Sequence, residues 1–230
     1  MRHHSFNDGD ALARKLAADV AKSLSRRLAA HGEASLVVSG GRTPAAFLRE
    51  LGRQSLDWTR VHVTLADERC VPASDPASNL ALVRAAFAGT AAAAAQLVGV
   101  DATATNAAAL WGNSVSALPR PFAAVVLGMG DDGHFASLFP RMPGLADALA
   151  TTAPALAPTV VHGVAPVEPV ARLSLTLATL LDTDLLALHV TGPSKLVTLQ
   201  RASQPGSALE MPVRALLAQR RAKLEIYHAP

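Results

Sequence analysis

The residues best equipped for chemistry fall in short clusters, each following an apolar run. The densest is Gly128-Met129-Gly130-Asp131-Asp132-Gly133-His134, which continues through Phe135-Ala136-Ser137-Leu138-Phe139-Pro140. His134 has a carboxylate two residues before it, and a carboxylate near an imidazole can fix its tautomer and stabilise its cation. That is the arrangement a general base needs to activate water. The spacing of Gly128, Gly130 and Gly133 imitates a dinucleotide fingerprint. It sits deep in the chain with no acidic residue ending a suitable next strand, which argues against a nicotinamide site. Zinc is disfavoured too, because no His-x3-His pair and no cysteine partner lies nearby. The other histidines (His3, His4, His31, His62, His162, His189 and His228) are dispersed and read as structural or surface groups.

A second cluster, Ser39-Gly40-Gly41-Arg42-Thr43-Pro44, has two glycines just after an apolar stretch. They permit a tight turn with close backbone approach. A helix opening at Thr43 would point its free N–H groups and positive end at that turn, forming a cradle for phosphate. An ordinary strand-to-helix turn has the same look. The third cluster is Asp67-Glu68-Arg69, with Val71-Pro72, Asp75, Ser78 and Asn79 beyond it. It can hold a polar substrate or form a plain surface ion network. Finally, Arg172 opens an apolar stretch, and Lys195 follows Gly192-Pro193-Ser194 at the end of another. A glycine turn followed by a lysine repeats phosphate-site logic, though either cation can simply be a surface charge.

These clusters need elements to hold them. Leu12, Leu16, Val20, Leu24 and Leu28 recur every four residues and predict one long helix over 8–31, with Asp8 as cap and Gly32 as stop. Short strands are predicted at 36–38, 61–66, 122–127, 172–177, 185–190 and 222–227, and helices at 43–51, 78–87 and 103–118. The Ala-rich stretch 90–95 is ambiguous. Residues 151–169, rich in Pro and Ala, read as a long connection, and 67–69 as a loop. Alternating strands and helices predict an α/β fold with a doubly wound, mostly parallel sheet flanked by helices. Ligands bind such sheets at the carboxyl ends of the strands, where the clusters fall.

Composition narrows the function class. The chain has 230 residues, half of them apolar, and 21 basic against 18 acidic side chains, a net charge of +3. One domain spanning 1–230 is expected, and disorder is excluded by the high apolar content. The basic residues are scattered without interleaved aromatics, which argues against nucleic acid as a partner. There is no secretory signal and no long uncharged apolar run, so no membrane role is expected. Cys70, the single cysteine, suits a reducing cytoplasm and reads as a small filler. A monomer and a small homo-oligomer both remain open.

Taken in order, the clusters resemble the 6-phosphogluconolactonase family. The match runs from Ser39-Gly40-Gly41-x-Thr43-Pro44 through Asp67-Glu68-Arg69-x-Val71-Pro72 and Ser78-Asn79 to Gly128-Met129-Gly130-x-Asp132-Gly133-His134-x-Ala136-Ser137-Leu138-Phe139-Pro140. It continues at Arg172-Leu173-Ser174-Leu175-Thr176 and ends at Gly192-x-x-Lys195, covering most of the chain. The departures are small: Phe135 where the family usually has Thr, Asp131 where Pro or Glu is common, and Arg42 where a small hydroxyl residue is frequent. The resemblance implies the fold shared with glucosamine-6-phosphate deaminases, hydrolysis of 6-phosphoglucono-δ-lactone, and neither metal nor organic cofactor.

On that basis Ser39, Gly40, Gly41, Arg42, Thr43, Gly130, Arg172 and Lys195 are expected to bind the substrate and its phosphate. His134, Asp132, Arg69 and Asp67 are expected at the reacting end. Arg69 or a backbone N–H near Gly130 would meet the oxyanion, and Asp67 a sugar hydroxyl. Two rivals fit less well. A deaminase-like isomerase would carry an extra acidic group where Ser137-Leu138-Phe139-Pro140 has none, and a non-catalytic sugar-phosphate sensor would have no need of His134.

Overall fold

Side-chain spacing builds the first helix. In the computed structural model, which describes residues 1–41, 44–152 and 159–230, α1 (Gly9–His31) buries Leu12, Leu16, Val20, Leu24 and Leu28 along one side. Asp8 caps it by accepting from the Ala11 N–H at 2.7 Å, and Gly32 stops it. Burying each Leu or Val contributes about 1.5–3 kcal/mol, so the stripe holds α1 against the sheet and against α2 (Pro44–Gly52).

Among the described residues ten strands follow in chain order: β1 (Arg2–Ser5), β2 (Ala34–Val38), β3 (Val61–Leu65), β4 (Asp67–Arg69), β5 (Gln96–Val98), β6 (Ala124–Leu127), β7 (Val160–Val164), β8 (Ala171–Leu175), β9 (Leu186–Thr191) and β10 (Leu224–Ala229). Seven of them form one parallel sheet in the order β1-β10-β9-β6-β2-β3-β5. Strands β2 and β6 are buried along their whole length, as befits central parallel strands covered on both faces. The remaining helices are α3 (Asn79–Phe87), α4 (Ala107–Ser116), α5 (Leu145–Ala148), α6 (Leu177–Leu180), α7 (Pro193–Ala202) and α8 (Val213–Ala218). One apolar cluster runs through both sheets and the helices.

The chain steps from β2 outward to β3 and β5, then returns to the other side of β2 to lay down β6, β9 and β10. The strand order therefore reverses between β2 and β6. Such a switch point opens a crevice at the carboxyl ends of the strands, where ligands bind.

The α/β class and the doubly wound, mostly parallel sheet agree with the sequence reading, and four strands correct it in detail. Asp67–Arg69 is not a loop but strand β4, paired antiparallel with β8 so that Asp67 faces Ser174 and Arg69 faces Arg172. Strand β7 lies within the supposed connection 151–169 and completes a second, three-stranded sheet in the order β4-β8-β7. Strands β1 and β5 edge the large sheet. The ambiguous Ala-rich stretch is a short 3-10 turn, Ala91–Ala94, leading into β5. Among the described residues no helix is long and apolar enough to cross a membrane.

Candidate active site

A cavity of about 440 Å³ occupies the switch point, lined from β2 by Ser39, Gly40 and Gly41, from β4 by Asp67 and Arg69, and from the loop after β6 by Gly128, Met129, Gly130 and His134. Lys195, at the start of α7, closes another side. Three of the four sequence clusters, with Lys195 from the last, thus meet at one crevice. Arg42 and Thr43 lie outside the described residues.

The loop after β6 is shaped by its own bonds. The Gly130 N–H donates to the His134 carbonyl at 2.9 Å, and the Gly133 N–H to the Gly130 carbonyl at 3.0 Å. This closed turn brings His134 Nδ1 to 2.6 Å from Asp132 Oδ1, which also accepts from the His134 backbone N–H at 3.1 Å. A carboxylate only accepts, so the bond places the ring proton on Nδ1 and leaves Nε2 to take a proton. The His134 side chain is 29% exposed and rests against Phe139 with ring centroids 4.4 Å apart. Burial opposes ionisation of Asp132, but the hydrogen bonds and charge of His134 outweigh it and hold the carboxyl below its usual range. Gly130 is needed for this geometry: a Cβ there would lie 2.1 Å from His134 Nδ1 and 2.6 Å from Asp132 Oδ1.

The β4 residues divide their work. Asp67 is buried, and its Oδ2 accepts from Ser137 Oγ at 2.6 Å, which ties the small sheet to the His134 segment. Glu68 is also buried and accepts from the N–H groups of Arg69, Asn79 and Leu80 at 2.7, 2.7 and 2.9 Å, and from Ser78 Oγ at 3.0 Å. It is a carboxylate cap on α3, where the helix's positive end favours it. Arg69 points Nη1 at the Ala77 carbonyl, 2.5 Å away, and keeps its other donors.

Arg172, which the sequence reading places with the phosphate-binding group, stands beside Arg69 and Asp67. It is buried opposite Arg69 and is not among the described residues lining the cavity. Burial, and then the neighbouring charge of Arg69, lower its pKa from the ordinary arginine value. Lys195 Nζ lies 3.1 Å from Asp131 Oδ1, and Asp131 is 68% exposed. A bond from Lys195 is the largest influence holding the Asp131 carboxyl low.

Among the cavity-lining side chains not singled out as site residues from sequence are His189 and Asn79. His189, on β9, is 3% exposed, and burial pushes its pKa down to about 4. Asn79 donates from Nδ2 to the Asp67 carbonyl at 2.8 Å, while its buried Oδ1 has no partner. Gly40 makes room for that carboxamide, since a Cβ there would come within 1.8 Å of Oδ1. The only sequence signal for His189 is its place, two residues before the end of a central strand. Among the described residues no cluster of three His, Cys, Asp or Glu side chains could hold a metal ion.

The sequence matches the family described as glucosamine-6-phosphate isomerases/6-phosphogluconolactonase over residues 7–225, and the chain belongs to it. Within the family its similarity runs to the 6-phosphogluconolactonases. The protein of that name from Rhizobium meliloti (strain 1021) is 43% identical, the alignment covering 99% of this chain and 98% of that one. The Pseudomonas putida 6-phosphogluconolactonase is 44% identical, with 99% and 92% covered. The crystal structure of a 6-phosphogluconolactonase from Shewanella baltica superposes with a TM-score of 0.93 at 37% identity, covering 100% of this chain and 98% of that one.

Proposed function

We propose that this protein hydrolyses 6-phospho-D-glucono-1,5-lactone to 6-phosphogluconate, with His134 as general base. The observation that carries the reading is the Asp132–His134 pair opening on the same crevice as the Gly40–Gly41 turn and Lys195. The phosphoryl end is gripped by that turn and by Lys195, which leaves the exposed Asp131 for the stronger anion. The grip sets the lactone carbonyl beside His134, so binding energy at the far end serves the reacting centre.

His134, its tautomer fixed by Asp132, takes a proton on Nε2 as the water oxygen bonds to the carbonyl carbon. Asp132 offsets the positive charge that then forms on the ring. Among the oxyanion donors considered from sequence, the Gly130 N–H itself is committed to the His134 carbonyl, and Arg69, which keeps donors free beyond its bond to Ala77, takes that part. When the tetrahedral intermediate collapses, the ring C–O bond breaks and the leaving oxygen takes back the proton from His134. Asp67, anchored by Ser137, accepts from a sugar hydroxyl.

The test is hydrolysis of freshly generated lactone, coupled to 6-phosphogluconate dehydrogenase and corrected for spontaneous opening. His134→Ala should lower kcat by about 10²–10⁴-fold while 6-phosphogluconate still binds. Turnover near that of the wild type would reject the assignment. Ammonia released from glucosamine 6-phosphate would move the protein to the isomerase branch.

A further inference from the structure

His189 has a costly position for an ordinary core residue. The buried positions before it on β9 are Leu186, Ala187 and Leu188, and its ring stands edge-on to Phe47 of α2, with centroids 6.3 Å apart. A leucine or phenylalanine would fill that space. Instead the strand carries an imidazole that makes no hydrogen bond among the described residues, and its Nδ1 is buried without a partner. Buried polar atoms are nearly always paired, and one left alone carries a desolvation cost. The ring also lies on the wall of the switch-point cavity, which it shares with Gly40, Gly41, Pro44 and Lys195. Asn79 Oδ1, likewise buried and unpartnered, belongs to the same cavity. Two orphaned polar groups on one crevice are the mark of a site whose missing partners arrive with the ligand.

We propose that His189 is a binding residue for the anionic end of the substrate, giving a ring N–H to a phosphoryl oxygen held at the Gly40–Gly41 turn. The proposal rests on the phosphate placement given above. A neutral imidazole suits the position, because it can be buried without the cost of a charge and always carries one N–H. Burial keeps it neutral in the free protein, while Lys195 supplies the positive charge. A ligand lacking the phosphoryl group leaves that N–H unpaired. His189 thereby discriminates between phosphorylated and unphosphorylated lactones, as sites built around a buried donor do.

The experiment compares wild type, His189→Leu, His189→Asn and Lys195→Ala on the phosphorylated lactone and on unphosphorylated glucono-δ-lactone. A bond from a buried donor to a charged group predicts that His189→Leu raises KM for the phosphorylated lactone by about 10- to 100-fold. Any fall in kcat on that substrate adds to the loss, because the grip orients the reacting centre, and KM for the unphosphorylated lactone should not change. His189→Asn, whose amide nitrogen falls near Nδ1, should recover most of the loss. An unchanged KM in His189→Leu, or an equal rise on both lactones, overturns the proposal. If Lys195→Ala loses the preference for the phosphorylated lactone while His189→Leu keeps it, only the role of His189 fails. If neither variant alters the preference, the phosphate placement itself fails. Independently of folding in the variants, the His189 ring ¹⁵N resonances of the wild-type protein should shift on adding 6-phosphogluconate, and unmoved resonances count against the proposal.

Discussion

Adding one methyl group at Gly130 tests the base without touching it. In Gly130→Ala the new Cβ would fall 2.1 Å from His134 Nδ1, 2.2 Å from Cε1 and 2.6 Å from Asp132 Oδ1. Carbon contacts are comfortable only from about 3.5 Å, so the imidazole must retreat by more than about 1 Å or lose its bond to Asp132. The backbone itself is no obstacle, because Gly130 is not among the positive-φ glycines. The side chain that must move is also partly exposed, so the fold should survive. A displacement of about 1 Å at a reacting group costs on the order of 10²-fold in rate. The variant should therefore keep a cooperative thermal transition close to wild type while its coupled lactonase kcat falls by about two orders of magnitude. If the folded variant turns over at the wild-type rate, the Asp132–His134 geometry does not set the chemical step.

Two further outcomes concern stability. Glu68→Ala removes a carboxylate that satisfies three backbone N–H groups and Ser78 Oγ. It should cost about 2–4 kcal/mol in urea unfolding, and a loss below about 0.5 kcal/mol, the size of an ordinary surface change, would show that the cap is dispensable. The second is a pH effect from His189, whose pKa is pushed from 6.5 to about 4 by burial. Above 6.5 neither the folded nor the unfolded state binds this proton. As pH falls from 6.5 to 4, the unfolded chain takes up a proton that the fold refuses, and stability drops by up to about 3 kcal/mol. His189→Leu should remove that part of the acid limb, so the difference in unfolding free energy between variant and wild type should change between pH 7 and pH 4.5. A pH-independent difference would contradict the burial argument.

The site was more legible than the sheet edges. Gly40, Gly41, Asp132 and His134 announce themselves because glycine pairs and a carboxylate two residues before a histidine are local features, and the strands preceding them are plainly apolar. Strands β1 and β5 edge the sheet and pair through the backbone on one side only, so Arg2-His3-His4-Ser5 needs no apolar signature. Asp67–Arg69 becomes a strand only because β8 offers a partner, a long-range pairing that its three charges hide. The position of Arg172 was hidden for the same reason: its place beside Arg69 depends on that antiparallel register. His189 was passed over because a histidine inside Leu-Ala-Leu-His-Val-Thr is indistinguishable from a core residue until its lack of partners is seen.

The register that sets Arg69 against Arg172 has an effect on handling. Two guanidinium groups stand across a strand pair, and of the carboxylates beside them Asp67 is bound by Ser137 and Glu68 by α3. Arg69, the member of the pair that lines the cavity, offers donors to whatever oxyanion the medium contains. Sulfate or inorganic phosphate carried over from purification becomes a competitor at the bench. The apparent affinity for the lactone is then a property of the buffer as much as of the protein, and comparisons between preparations call for chloride or acetate of matched ionic strength.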